Sequence, residues 1–273
     1  MTVAEALRNA AGKIDRFEAQ YLLAHVLGLS RASLIAHPEQ ELDARELSIY
    51  EAQVTARGRG RPVAYILGRR EFYGREFAVN EDVLIPRPET ETLVTEALKR
   101  IDGSQAVLDL GTGSGNIAVT LKLEAPAASV SAVEKSPRAL ALARQNAEAL
   151  RAELRFFQSD WFSALAGERF HVIASNPPYV ALGDAHLDQG DLRFEPEGAL
   201  TDGVTGAAGL ACIRVIVEEA PRHLHAGGWL LFEHGWDQAE ACRALLVERG
   251  FSEVASVADL AGIERVAVGR WQH

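Results

Sequence analysis

Two short stretches hold the residue types that can do chemistry: Val107-Leu108-Asp109-Leu110-Gly111-Thr112-Gly113-Ser114-Gly115-Asn116 and Asn176-Pro177-Pro178-Tyr179. In the first, an apolar run ends in a glycine turn. Glycines bend the backbone tightly and let a ligand approach it closely. The helix that the turn opens has free N–H groups, which favour a negative group. Glu134 closes the next apolar run, 23 residues after Gly111. A carboxylate at that spacing can accept hydrogen bonds from two ribose hydroxyls, so the pattern reads as a nucleoside-binding βαβ unit. A dinucleotide would suit the glycines equally well. Against it stands Asp109, directly before the turn, where a carboxylate repels a pyrophosphate but can meet a cationic amino-acid end.

The second stretch offers a place for a planar nitrogen. An amide nitrogen is a poor nucleophile because its lone pair is delocalised into the carbonyl. The side-chain oxygen of Asn176 and the backbone carbonyl of Pro177 can accept hydrogen bonds from a substrate NH₂ and favour a pyramidal nitrogen. The two prolines fix that geometry before substrate arrives, which is orientation combined with electrostatic preorganisation. Tyr179 supplies a flat face for a planar amide or base. The glycine turn, for its part, resembles the D-x-G-x-G-x-G turn of class I S-adenosylmethionine-dependent methyltransferases. In that fold an acidic residue after the third strand commonly holds the adenine amino group and an apolar neighbour covers the ring. Asp160 and Trp161 occupy those positions.

Asn-Pro-Pro-Tyr resembles the motif of methyltransferases that modify the exocyclic nitrogen of adenine and of those that modify glutamine side chains. The flanking sequence separates the two. Pro62–Gly74, Ile85-Pro86-Arg87-Pro88-Glu89-Thr90-Glu91, Phe194-Glu195-Pro196-Glu197-Gly198-Ala199-Leu200, Glu233-His234-Gly235 and Asp259-Leu260-Ala261-Gly262 look like the HemK/PrmC family of peptide chain release factor glutamine N5-methyltransferases. The resemblance runs over nearly the whole chain, most specifically from about residue 62 onward. It implies S-adenosyl-L-methionine as cofactor, S-adenosyl-L-homocysteine as product, and the glutamine of a Gly-Gly-Gln tripeptide in class 1 release factors as acceptor. It places the acceptor amide between Asn176, the Pro177 carbonyl and Tyr179, with Pro178 and the strip Arg87-Pro88-Glu89-Thr90 beside the active site helping to shape the substrate pocket. Asp109, Gly111, Thr112, Gly113, Gly115, Glu134, Asp160, Trp161 and Asn176 would surround the cofactor. Glu134 stands where many methyltransferases have Asp.

The elements that must position these residues follow from periodicity. Residues 1–60 read as four short helices in a small bundle, the N-terminal recognition domain. Thr2 with Glu5 forms a capping box, Asp15 and Asp43 are further caps, and Gly28 and Gly58 are stops. Residues 61–82 read as a hinge with a β-hairpin around Gly74. Residues 83–273 read as the catalytic domain, in which Thr90 caps a helix over 91–100. From residue 105 strands and helices alternate: strands at 106–110, 129–134, 153–157, 171–175, 227–233, 252–257 and 264–270, helices at 115–124, 137–150, 207–223 and 237–249. The expected fold is α/β, a doubly wound, seven-stranded, mainly parallel sheet ending in an antiparallel edge pair.

Bulk composition limits the function classes. The chain has 273 residues and a formal net charge of −10. Residues 1–65 balance 8 basic against 8 acidic side chains, so the acidic surplus lies in the rest. Such a balance disfavours direct nucleic-acid binding, which rests on neutralising phosphates. Base flipping also needs a positively charged channel, and this weighs against an adenine N6-methyltransferase. A ribosomal-protein glutamine methyltransferase remains the nearest alternative. A non-catalytic adaptor would be expected to lose Asn176 or the glycine turn, and both are present. Cys212 and Cys242 read as buried small hydrophobes, His234 as structural, and the scattered histidines suggest no metal site. No signal peptide or membrane-spanning run is visible, so the expected protein is a cytoplasmic monomer.

Overall fold

A computed structural model of the chain describes residues 1–205 and 208–273, with the side chain of His186 left out. The chain divides into two compact units. One comprises Met1–Arg69 with Asp188–Phe194; the other comprises Arg70–Leu187 with Glu195–His273.

The first unit is helical. Helix α1 (Val3–Ala10) opens with the Thr2–Glu5 capping box, α2 (Arg16–Leu27) is capped by Asp15 and ends at left-handed Gly28, and α4 (Ala44–Gly58) opens with a second box, Asp43–Glu46. Between them lies α3 (Arg31–Ala36), capped by Ser30. The apolar residues at helical spacing, including Val3, Ala6, Leu22, Leu23, Leu34 and Val54, share one core. Tyr50 is buried among them, and its hydroxyl donates to the Ala19 carbonyl at 3.3 Å. A fifth helix, α5 (Val63–Leu67), was not expected from sequence. It is one turn long, follows Pro62, and ends at Gly68 in the left-handed conformation. Its five residues are too few to show a period, although Pro before and Gly after are ordinary helix bounds. The stretch Asp188–Phe194 joins this unit through Asp191, which accepts from Arg57 at 2.8 Å.

The second unit carries the sheet. Strands β1 (Arg69–Phe72) and β2 (Arg75–Ala78) form a two-stranded hairpin. Its turn residues, Tyr73 and Gly74, both have positive φ, which matches the twist of a tight hairpin. Then follow α6 (Thr90–Leu98), β3 (Ala106–Leu110), α7 (Asn116–Glu124), β4 (Ser129–Glu134), α8 (Pro137–Ala149), β5 (Arg155–Gln158) and β6 (Phe170–Ser175). After short 3₁₀ turns and α9 (Glu197–Leu200) come α10 (Ala211–Glu219), β7 (Leu224–Glu233), α11 (Ala239–Arg249), β8 (Ser252–Ala258) and β9 (Glu264–Arg270). The seven strands lie in the order β5-β4-β3-β6-β7-β9-β8. All neighbours from β5 to β7 are parallel, and β9 is antiparallel to both β7 and β8. The expected doubly wound sheet with its antiparallel edge pair is therefore present. No helix among the described residues is long and apolar enough to cross a membrane.

The strands are buried on both faces because side chains alternate along them. Val107 on β3 enters one core with Val94, Leu121, Val130 and Val172. Leu108 and Leu110 enter the other with Val133, Ile173, Ile216 and Phe232. Several boundaries differ from the expectation. The helix expected over 207–223 is α10 plus a 3₁₀ turn, Ala220–His223, and its expected first residue, Ala207, lies outside the described residues. Pro221 accounts for the change, since it cannot donate to the preceding turn. Thr90 is inside α6 rather than capping it; the cap position is Glu89, which makes no side-chain cap bond.

The start of α7 approaches α8 closely at Gly115. It has φ +84°, and a Cβ there would lie 3.2 Å from the Ala143 Cβ on α8. Gly115→Ala should therefore cost about 1–3 kcal/mol through left-handed strain and crowding. Scanning calorimetry should show a fall of several degrees in Tm; an unchanged Tm would mean that the α7–α8 approach tolerates a methyl group.

Candidate active site

Parallel strands deliver their carboxyl ends to one edge of the sheet, where ligands bind in open α/β folds. A cavity of about 440 Å³ opens there in the second unit. Its floor is the turn after β3. Gly111, Gly113 and Gly115 all have positive φ, and the Gly111 and Thr112 N–H groups both donate to the Val133 carbonyl at 3.0 and 2.9 Å. Glu134, at the end of β4, accepts from the Gly113 N–H and the Ser136 N–H, each at 2.9 Å. The turn is therefore tied to the adjacent strand by both backbone and side chain, and the Glu134 carboxylate stays at the cavity wall. Asn146 on α8 holds the turn from behind. Its Nδ2 donates to the Ser114 carbonyl at 2.8 Å and to the Ala78 carbonyl at 3.0 Å.

The expectation sets Asp109 against the ligand's cationic end. In the structure Asp109 is fully buried and outside the cavity lining. Its Oδ2 accepts from the Thr112 hydroxyl at 2.6 Å and from the Ala118 N–H at 3.1 Å, which braces the turn against the start of α7. Burial pushes its carboxyl up to about 7. Asp160, also in the lining, pairs with Lys135 at 2.8 Å, and Trp161, at φ +48°, lies over Gly111.

The Asn-Pro-Pro-Tyr corner leaves the sheet after β6. Asn176 and Pro178 line the cavity; Pro177 is buried behind them. The Asn176 Nδ2 donates to the Thr90 hydroxyl at 3.1 Å, and that hydroxyl donates to Glu233 Oε2 at 2.6 Å. The Tyr179 hydroxyl donates to the other oxygen of Glu233 at 3.1 Å. Desolvation, reinforced by this carboxylate, holds the Tyr179 phenol far above its ordinary range. The Tyr179 carbonyl accepts from Gln238 Nε2 at 2.9 Å, and the same amide group donates to the Ala208 carbonyl at 2.7 Å. Arg87 lines the cavity but is paired with the buried carboxylate of Glu195, which also accepts from the Ile85 N–H at 3.0 Å.

Of the residues expected to form the site, Arg87, Gly111, Thr112, Gly113, Glu134, Asp160, Trp161, Asn176 and Pro178 line the cavity. Asp109, Gly115, Glu89, Pro177 and Tyr179 do not line it; Asp109, Gly115 and Tyr179 act on its walls from behind. Thr90, expected in the strip beside the site, also lines the cavity, whereas Glu233 and Gln238 were missed as parts of the corner. The signal for Glu233 was present: a carboxylate ends an otherwise apolar strand, Leu230–Phe232. Cys212 needs correction. It is only half-buried and stands in the cavity wall, in the first turn of α10. Cys242 is buried as expected.

Comparison with known proteins agrees with this architecture. The family described as "PrmC N-terminal domain" matches residues 2–68, and the one described as "Methyltransferase small domain" matches residues 89–191. A Burkholderia pseudomallei protein named release factor glutamine methyltransferase is 53% identical over 98% of this chain and 96% of its own length. One of the same name from Bordetella pertussis is 51% identical over 94% and 95%. Among solved structures, a methyltransferase from Pyrococcus furiosus aligns with TM-score 0.57 at 18% identity, covering 83% of this chain and all of that one, which is likeness of fold. Identity above one half over alignments that cover nearly the whole chain, helical unit and sheet alike, means that this chain belongs to the release factor glutamine methyltransferase family.

Proposed function

We propose that this protein transfers a methyl group from S-adenosyl-L-methionine to the side-chain amide nitrogen of a glutamine, the one in the Gly-Gly-Gln tripeptide of class 1 release factors. The observation that carries the reading is the single cavity shared by the glycine turn, Glu134 and the Asn176 corner. A cofactor held by the first two is within the same enclosure as a nitrogen held by the third. Family membership at more than 50% identity supports the choice of acceptor.

The residues present suit the cofactor. A Cβ at Gly113 would meet no heavy atom within 4 Å, so the backbone there is bare toward open space, as close approach of a ligand requires. Glu134 would take the ribose hydroxyls, Asp160 the adenine amino group, and Trp161 the ring face. When bound, the cofactor supplies an electrophilic methyl group on a sulfonium. The protein's own part is to present the nitrogen. The Asn176 oxygen at the cavity wall would accept one N–H of the substrate amide and the backbone carbonyl of Pro177, a residue behind the lining, the other, and this would draw its lone pair out of the carbonyl. A methylated amide nitrogen would be strongly acidic and would lose one proton to water, so the protein would need to supply no strong base. The paired state of Arg87 supports a shaping role for it rather than charge neutralisation. The acidic balance of the chain supports a protein partner rather than nucleic acid. Residues 1–60 are read as the module that holds a further part of the release factor.

Purified protein incubated with labelled cofactor should add one methyl group to the Gly-Gly-Gln peptide of a release factor, located by mass spectrometry; label on DNA with none on the release factor would reject the reading. Asn176→Ala should reduce kcat by about a hundredfold or more while the cofactor Kd by isothermal titration stays within a few-fold, since the lost acceptor acts on the reacting nitrogen. Gly113→Val, which fills the bare turn and strains a left-handed residue, should abolish cofactor binding; normal affinity would remove the turn from the site.

A further inference from the structure

We infer that Glu233 is a positioning residue that, acting through Thr90, decides which way round the Asn176 carboxamide stands. An amide side chain is nearly symmetric in shape, so sterics alone do not choose between its oxygen and its NH₂. The choice falls to hydrogen-bond polarity. An ionised carboxylate only accepts, and both oxygens of Glu233 are engaged: Oε2 by the Thr90 hydroxyl at 2.6 Å and Oε1 by the Tyr179 hydroxyl at 3.1 Å. Thr90 has a single hydroxyl proton, which is committed to Glu233. Its oxygen can then only accept from Asn176, and it does so from Nδ2 at 3.1 Å. The Asn176 oxygen is thereby left for the cavity that this residue lines. Glu233 and Thr90 are each 1% exposed, so water cannot replace either member of the chain.

The strand register makes this possible. Ser175 on β6 pairs with Phe232 on β7, so the next residues, Asn176 and Glu233, leave neighbouring strands at the same level. The first turn of α6 then brings Thr90 between them. A donor in place of the carboxylate would reverse the chain. Thr90 would receive a proton from residue 233 and offer its own to Asn176, which would turn its oxygen inward and its NH₂ to the cavity. Two NH₂ groups would then face each other across the acceptor site. Protonation of Glu233 at Oε2, the oxygen that faces Thr90, has the same consequence. Burial pushes its carboxyl up and Glu89 adds to this, while the Thr90 and Tyr179 hydroxyls and the Arg265 guanidinium pull it down. Turnover should therefore rise with pH as Glu233 ionises.

This inference rests on the methyl-transfer reading above, and the test separates the two. With full-length protein and release factor, Glu233→Gln should lower kcat by about tenfold or more, leave the cofactor Kd within about twofold, and lose the acid limb of the wild-type pH profile. Thr90→Val should behave alike, Thr90→Ser should restore at least half of what Thr90→Val loses, and the double variant Thr90→Val/Glu233→Gln should be no worse than the poorer single one. The Asn176 side-chain amide signals in ¹⁵N NMR, read without any acceptor, should move in Glu233→Gln. A wild-type protein that methylates no release factor would refute the function alone, leaving the NMR comparison to judge Glu233. Glu233→Gln with kcat within twofold of wild type and an unaltered pH profile, or with unmoved Asn176 amide signals, would overturn the role of Glu233.

Discussion

Everything in the second unit depends on strands β3, β4, β6 and β7 running the same way. Parallel neighbours end at one edge, and the backbone there has to turn out of the ladder. Residues far apart in sequence are thereby set side by side at fixed spacing: the glycine turn after Leu110, Glu134 at the end of β4, Asn176 after β6 and Glu233 at the end of β7. No loop has to search for its place, because each starts from a strand buried on both faces. The two cores, one on each side of the sheet, hold that edge rigid.

Rigidity at the strand tips makes buried polar groups affordable only in linked sets. Asp109 and Glu233 are fully or almost fully withdrawn from water, and desolvation raises the pKa of each. Each is engaged by hydroxyl or N–H donors from elements that have to be fixed in place. Asp109 joins Thr112 to the start of α7, and Glu233 joins Thr90 on α6 to Tyr179 in the corner. A buried polar group without partners costs more than the bond it would have made, so such sets favour one arrangement of their members strongly over others. The Glu195 carboxylate does the same for the strip before α6. It takes the Ile85 N–H and the Arg87 side chain, so the cation beside the cavity is neutralised in place.

The wall of the cavity therefore separates into two kinds of residue. Glu134, Asp160 and Asn176 present functional groups to the enclosure. Behind them Asp109, Asn146, Glu233 and Gln238 hold backbone or side chains still without facing it. Of the second kind Asn146 and Gln238 belong to no short motif, because they are chosen for what they reach in space. Gln238, for instance, spans from α11's cap position to the carbonyls of Tyr179 and Ala208.

The amino-acid sequence by itself determined the strand–helix alternation, the antiparallel edge pair, the helix caps at Thr2, Asp15 and Asp43, and the two chemical stretches. Periodicity, capping and glycine turns are local matters, governed by residues within a few positions of one another. It did not determine α5 or α9, whose single turns carry no readable period, nor the late start of α10, nor the place of Cys212 in the cavity wall. Nor did it reveal that Thr90, read as a cap, is the hydroxyl between Asn176 and Glu233, residues 86 and 143 positions away. Only the tertiary structure decided that. Which donor meets which acceptor over such separations is fixed by strand order and register, and neither is written in the neighbourhood of any one residue.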